Sequence, residues 1–221
     1  MPTRILGAIA RYAELSDASQ HTLRQGMRFS QHAAGEVLLH KGQKVSGAYF
    51  VAQGRLRVFA VGERGVEATL YAIEPGETCV FALNSLFNDL RYPAWVQAEE
   101  DTVVGLIPGP VFRRLFDHER AMRDLAVRGL STLVFKLMEG VEAAHTQRLD
   151  QRLAGLLLTR ASGAGEVRMT QQQMAQHLGT TREVVARLLR AFVRQGWIQT
   201  GRGRIGLNQP RALADIAGGV A

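Results

Sequence analysis

Between Val111 and His145 the chain places apolar residues at alternating steps of three and four: Val127, Leu130, Val134, Leu137, Val141 and Ala144. On an α-helix these positions fall on one narrow stripe, the seam along which two helices pack side by side. No proline interrupts the stretch. A helix of that extent is about 50 Å long at 1.5 Å per residue, more than one face of a small β-domain covers. We read it as a dimerisation helix, the alternative being a stripe packed on the chain's own core. Upstream the period shortens. Glu36–His40, Ala48–Val51, Leu56–Val61, Ala68–Ile73 and Thr102–Ile107 are short, strand-like runs divided by Gly42, Gly47, Gly54, Gly62, Gly65 and Gly76. That spacing predicts an antiparallel β-roll, cupin-like in form, with a preceding helix around Gln20–Met27.

Downstream the helical period returns in shorter pieces. Gln147–Arg160 sets Leu149, Leu153, Leu156 and Leu157 on one face, and Gly163–Gly165 is a turn. Thr170 can cap a helix through Leu178, with Gln173 completing a capping box. Gly179 supplies the left-handed turn that ends it. Thr180 or Thr181 then caps a second helix, from Arg182 to Gln195, whose buried face is Val184, Val185, Leu188, Leu189 and Phe192. Arg182, Glu183, Arg187, Arg190 and Arg194 are left outside. Trp197 to Leu207 reads as a two-stranded wing carrying Arg202 and Arg204. The fold class is α+β, in three parts: a β-roll with flanking helices over 1–110, a dimerisation helix over 111–145, and a winged helix-turn-helix over 146–221.

Charge sharpens this picture. Residues 146–221 hold eleven arginines, no lysine and four acids, so the whole net charge of +7 sits there; the preceding 145 residues balance. A basic module on a neutral body points to a polyanion, and a helix-turn-helix makes that polyanion double-stranded DNA. An arginine fork can grip guanine O6 and N7, and a glutamate can accept from cytosine N4. Glu183 repels phosphate, so its place beside Arg182 and Arg187 argues for base reading. The bland alternative is a capping pair on a surface helix. Thr170, Thr180, Thr181 and Arg190 are further candidates for DNA contact, and Arg202 and Arg204 would meet phosphates.

One cysteine, Cys79, excludes an internal disulfide, a four-cysteine zinc site and an iron–sulfur cluster. The six histidines lack metal-ligand spacing, so no metal site is expected. No P-loop, nucleophile elbow or carboxylate pair stands out, and the expectation is a protein without enzyme activity. No apolar run is long enough to span a bilayer, and the N-terminus does not read as a signal peptide. A cytoplasmic protein with no membrane partner is expected.

A β-roll, a long dimerising helix and a winged helix-turn-helix, in this order, are similar to the Crp/Fnr superfamily of transcription regulators. The phrase Leu178-GTTREVVARLLRAFVRQGW-Ile198 resembles that family's recognition-helix signature. Gly35-Glu36-Val37-Leu38 with Lys41-Gly42, and Tyr49-Phe50-Val51 with Gly54–Val58, resemble its β-roll motifs. The resemblance implies a homodimer on a palindromic site, with Arg182, Glu183 and Arg187 reading bases, and an RNA polymerase contact if it activates. Ala186 stands where the Fnr branch has serine, which implies GTGA-like half-sites.

The resemblance also implies an allosteric sensor in the roll, but the family's cyclic-nucleotide residues are not in place. Val80-Phe81 replaces a Gly-Glu pair, and Arg91 is one residue out of register, with Tyr92 where the phosphate arginine belongs. Cyclic AMP is accordingly not the expected effector, although Gly76-Glu77 could serve under a shifted register. The candidate pocket is Gly76, Glu77, Cys79, Val80, Phe81, Arg91, Tyr92 and Trp95. An apolar or aromatic small molecule, for which Val80, Phe81, Tyr92 and Trp95 are suited, is one alternative, and no ligand, with these residues filling a core, is its counterpart. Haem, with Cys79 and His32, His40 or His118 as axial ligands, is another, and a redox-active Cys79 a third. A rival reading of the whole chain is a cyclic-nucleotide- or haem-binding signalling module that acts through protein partners, its DNA head vestigial.

Overall fold

The computed structural model describes residues 14–62, 65–201 and 203–218. They form two compact units: residues up to 59 with 70–138, and 60–69 with 139 onward. No helix among the described residues is long and apolar enough to cross a membrane.

The first unit opens on α1 (Asp17–Gly26), capped by Ser16, whose hydroxyl accepts from the Ser19 amide at 3.3 Å. There follow β1 (Arg28–His32), β2 (Val37–Leu39), β3 (Gly47–Gln53), β4 (Leu56–Val61), β5 (Glu67–Ile73), α2 (Val80–Asn88), β6 (Trp95–Ala98) and β7 (Thr102–Pro108), the end of β4 and the start of β5 within 60–69 counting with the second unit. The strands make two sheets, ordered β1-β7-β3 and β2-β6-β4-β5, with antiparallel pairing of β7 to β1 and β3 and of β6 to β2 and β4. The roll is therefore as expected from its glycine-divided runs. The inward residues of several strands build its core. Leu56 and Val58 of β4 join Val51, Val96 and Val104 in one buried cluster. Arg57 turns the other way, its guanidinium 4.0 Å from the Phe59 ring centroid and donating to Gln97 Oε1 at 2.7 Å. Gly47 lets β3 approach β7, since a Cβ there would lie 2.1 Å from the Ile107 carbonyl oxygen.

Two strands escaped the sequence pattern. β1 exposes Arg28, Phe29, Ser30 and Gln31 and has no apolar alternation; its ladder to β7, with Phe29 opposite Gly105, holds it. β6 follows directly on the loop that ends at Ala94 and carries no glycine boundary.

The expected single helix over 111–145 is two. α3 (Gly109–His118) and α4 (Arg120–Thr146) are separated by Glu119, which is extended. The break has a polar cause. Glu119 Oε1 accepts from the Ser16 hydroxyl at 2.5 Å and its amide at 3.3 Å. Arg123 then reaches back to the Phe116 and Asp117 carbonyls at 2.9 and 2.8 Å, satisfying groups that a continuing helix would have bonded. The 27-residue α4 is thus about 40 Å long. Its inner face buries Ala121, Met122, Leu125 and Leu133. Leu137, four residues past Leu133, continues that row and packs on the roll's core. Met138 beside it is exposed. Val127, Leu130, Val134, Phe135, Met138 and Val141 are 47–66% exposed along the outer face.

The second unit holds α5 (Leu149–Arg160), β8 (Glu166–Val167), α6 (Gln171–Leu178), α7 (Arg182–Arg194), β9 (Ile198–Gly201), β10 (Arg204–Leu207) and α8 (Pro210–Ile216). Leu153, Leu157, Met174, Leu178, Val185 and Leu189 meet in its core. The wing has three strands, β8-β10-β9, because β8 pairs with β10 through Ile205 and Val167. The boundary between the compact units falls inside α4, after Met138, so the helix is not a separate body.

Candidate nucleic-acid interface and sensor cavity

The second unit positions its polar residues by local chemistry. Thr170 Oγ1 accepts from the Gln173 amide at 3.1 Å while Gln173 Oε1 accepts from the Thr170 amide at 2.8 Å, a complete capping box. The chain leaves α6 through Gly179 at φ 65°, ψ 40°, where a side chain would be strained. Thr181 occupies the cap position of α7 but bonds no helix amide. Its hydroxyl instead meets the Glu183 carboxylate, and together with Glu183's own amide, the larger effect, holds that group below the usual carboxylate range. Glu183 is ionised at neutral pH.

On α7, Val185, Leu189 and Phe192 are buried, while Arg182, Glu183, Arg187, Arg190 and Arg194 are exposed. Glu183, Arg187, Arg190 and Arg194, at helical spacing, form one outward stripe. Arg182 stands apart on the first turn. It lines a concavity of about 510 Å³ with Thr170 and Gln171 at the start of α6 and with Thr200 and Arg204 of the β9–β10 hairpin. Thr170 is exposed, although its hydroxyl is engaged in the capping box, and Thr180 is half-buried. Arg202 lies outside the described residues.

Sequence reasoning passed over Glu166. Its carboxylate lies between two arginines of the wing side, 3.3 Å from Arg168 Nε and 3.6 Å from Arg204 Nη1. It occupies the guanidiniums as a phosphate would. Glu166→Gln is expected to tighten specific and scrambled duplexes alike, by about two- to fivefold at low salt, since exposed pairs are worth about 0.2–1 kcal/mol and phosphate contacts carry no sequence information. Fluorescence anisotropy on the two duplexes checks this; weaker binding would mean that Glu166 holds the arginines in their productive pose.

The first unit contains a cavity of about 300 Å³ between the Tyr71–Val80 segment and α4. Of the eight candidate effector residues, Gly76, Glu77 and Val80 line it. The other five lie elsewhere. Cys79 is 1% exposed, its Sγ 3.2 Å from the Tyr92 hydroxyl oxygen. Burial pushes the thiol up, and likewise the phenols of Tyr71 and Tyr92, so all three are neutral and Cys79 has no thiolate character. Phe81 meets Tyr71 and Tyr92 edge-on, at 5.4 and 6.3 Å between ring centroids. Arg91 is exposed and donates to the Gly42 carbonyl at 3.2 Å. Trp95 packs against His40 and Phe59 at 5.0 and 6.3 Å.

The far wall of the cavity comes from α4, some fifty residues along the chain. There the structure adds Arg128, Thr132 and Lys136, none of which the strand motifs signal. Lys136 Nζ lies 3.3 Å from Glu77 Oε1. The turn through Gly76 orients Glu77, whose Oε2 accepts from the Glu74 amide at 3.0 Å.

Known families and proteins match the chain as follows. The Crp-like helix-turn-helix domain matches residues 151–216, and the cyclic nucleotide-binding domain residues 30–119. The transcriptional regulator SdrP of Thermus thermophilus is 31% identical over 196 residues, 83% of this chain and 91% of that protein. The cyclic AMP receptor protein of the same organism is 27% identical over 195 residues, covering 85% of this chain and 87% of its own length. A solved structure of a Crp-family transcriptional regulator from Thermus thermophilus superposes with a TM-score of 0.74 at 25% identity, over 86% of this chain and 96% of that one.

Proposed function

This chain belongs to the Crp/Fnr family of transcription regulators, and from that premise we propose that it works as a homodimer on a palindromic site with GTGA-like half-sites, under an effector other than cyclic AMP. Regulators of this family bind DNA as dimers. The observation that carries the reading is α7 itself: an apolar face sunk in its own unit and a Glu183–Arg187–Arg190–Arg194 stripe turned outward. Two such helices, one per protomer, fit successive major grooves about one helical turn apart. The outer face of α4, exposed in the single chain, supplies the contact between protomers.

Two observations weigh against cyclic AMP. Arg91 bonds a backbone carbonyl on the surface, and Val80-Phe81 opens α2 with Phe81 held between two tyrosines. No carboxylate stands where the family's Gly-Glu pair would place one. The lining of the cavity also weighs against haem there. The cavity lining holds neither histidine nor cysteine, Cys79 faces Tyr92, and His32 bonds Glu36 at 2.7 Å.

Arg182→Ala tests the reading. A base-reading arginine should cost about 1–3 kcal/mol on the specific duplex and relax selectivity at one base position. A vestigial head, in which Arg182 only decorates a surface helix, would show unchanged duplex selectivity. Anisotropy against a palindromic GTGA-type duplex and single-base variants separates the two.

A further inference from the structure

The cavity in the first unit is weighted towards cationic donors. Its one carboxylate is engaged: Glu77 Oε1 pairs with Lys136 at 3.3 Å and Oε2 takes the Glu74 amide at 3.0 Å. The Thr78 hydroxyl donates to the Tyr49 carbonyl at 2.9 Å. The charged group left over is a donor. Arg128 and the Thr132 hydroxyl have no hydrogen-bond partner among the described residues, and Lys136 keeps donors beyond the one that meets Glu77. Two cations face one carboxylate, so the lining is net positive. Ile73, Val80, Leu125 and Leu133 supply the apolar part of the wall.

A ligand matching this wall carries negative charge and acceptors for Arg128 and Thr132, and has an apolar body. A cyclic nucleotide is a poor match despite its anionic phosphate. Its ribose hydroxyl and exocyclic amine find no unpaired carboxylate to accept from them. The volume, about 300 Å³, lies at the lower end of small-molecule sites, which suits one or two rings.

We infer that this cavity binds a compact amphipathic anion, an acidic head of carboxylate or phosphate type on an apolar body. Arg128 and Thr132 hold the head from α4, and the 73–80 segment covers the body. Making that anion the effector rests on the regulator reading given above; its binding to the cavity does not.

The test is a fluorescence titration of the full chain with the dye naphthalene-1-sulfonate, which carries an acceptor-only anionic head on a two-ring apolar body. Saturable binding of one dye per chain is expected, weakened about tenfold or more by Arg128→Ala and largely restored by Arg128→Lys, since a charge-assisted bond is lost and regained. Arg128 is exposed, so its replacement leaves the fold intact by circular dichroism. Displacement by benzoate would identify a carboxylate head, and by phenyl phosphate a phosphate ester; either supports the inference. Unchanged dye affinity in Arg128→Ala would place the dye on the exposed face of α4 and overturn it. So would displacement by neither competitor at millimolar concentration, or displacement by micromolar cyclic AMP. Selective binding of the palindromic duplex, measured on the same preparation without dye, decides the regulator reading separately.

Discussion

Glutamate in place of Val134 is expected to split the dimer and to lower affinity for a palindromic duplex by about a hundredfold or more, because each head then binds its half-site alone. Val134 sits midway along the outer face of α4, between Leu130 and Met138, and is 47% exposed in the single chain. A two-fold axis sets the same residue of both protomers near one another, so one substitution puts two carboxylates into a single apolar seam. Burying those charges in an apolar seam costs more than the lost valine contact. The inner face of α4 is untouched, so each protomer should keep its fold. Analytical ultracentrifugation and anisotropy on the palindrome read the two effects. A Val134→Glu protein that remains dimeric with unchanged DNA affinity would remove this face from the interface.

Phe192→Ala should destabilise the DNA-binding unit by about 3–5 kcal/mol, the usual range for emptying a buried aromatic site. Phe192 is 3% exposed and its ring centroid lies 5.4 Å from that of Trp197. It anchors the C-terminal half of α7 to the core formed by Leu153, Leu157 and Val185. Against a total domain stability of about 5–15 kcal/mol, such a loss takes much of the margin. Trp197 is a built-in reporter beside the Phe192 site, while Trp95 lies among His40 and Phe59 in the roll. Urea unfolding followed by fluorescence of Trp95→Phe and Phe192→Ala/Trp95→Phe should show the midpoint falling with the alanine. An unchanged midpoint would mean that Phe192 does not bear on the unit's stability.

The parts that could be read from the sequence are those where chemistry is local. Thr170, Gln173 and Gly179 sit within ten residues of one another, and each does one backbone task; α6, the turn and α7 follow almost to the residue. Elements defined by distant partners were harder. β1 is a strand because β7 pairs with it, which Arg-Phe-Ser-Gln-His does not announce. The break at Glu119 depends on Ser16, more than a hundred residues away, with no glycine or proline to mark it. The inward packing of Leu137 was hidden for a related reason. Steps of three and four admit either Leu137 or Met138, and only the continuation of the Leu133 row onto the roll assigns Leu137 inward. The sensor residues were the least legible. A search along the strand motif finds Gly76, Glu77 and Val80, but the donors that give the cavity its character come from α4.

The cations of the basic unit are all arginine: residues 146–221 contain no lysine. A guanidinium holds its charge far above physiological pH and offers no amine to acylating enzymes. Lysine acetylation, which elsewhere erases charge from a DNA-facing surface, has no target here. Acetylation therefore cannot tune the attraction of this head for DNA.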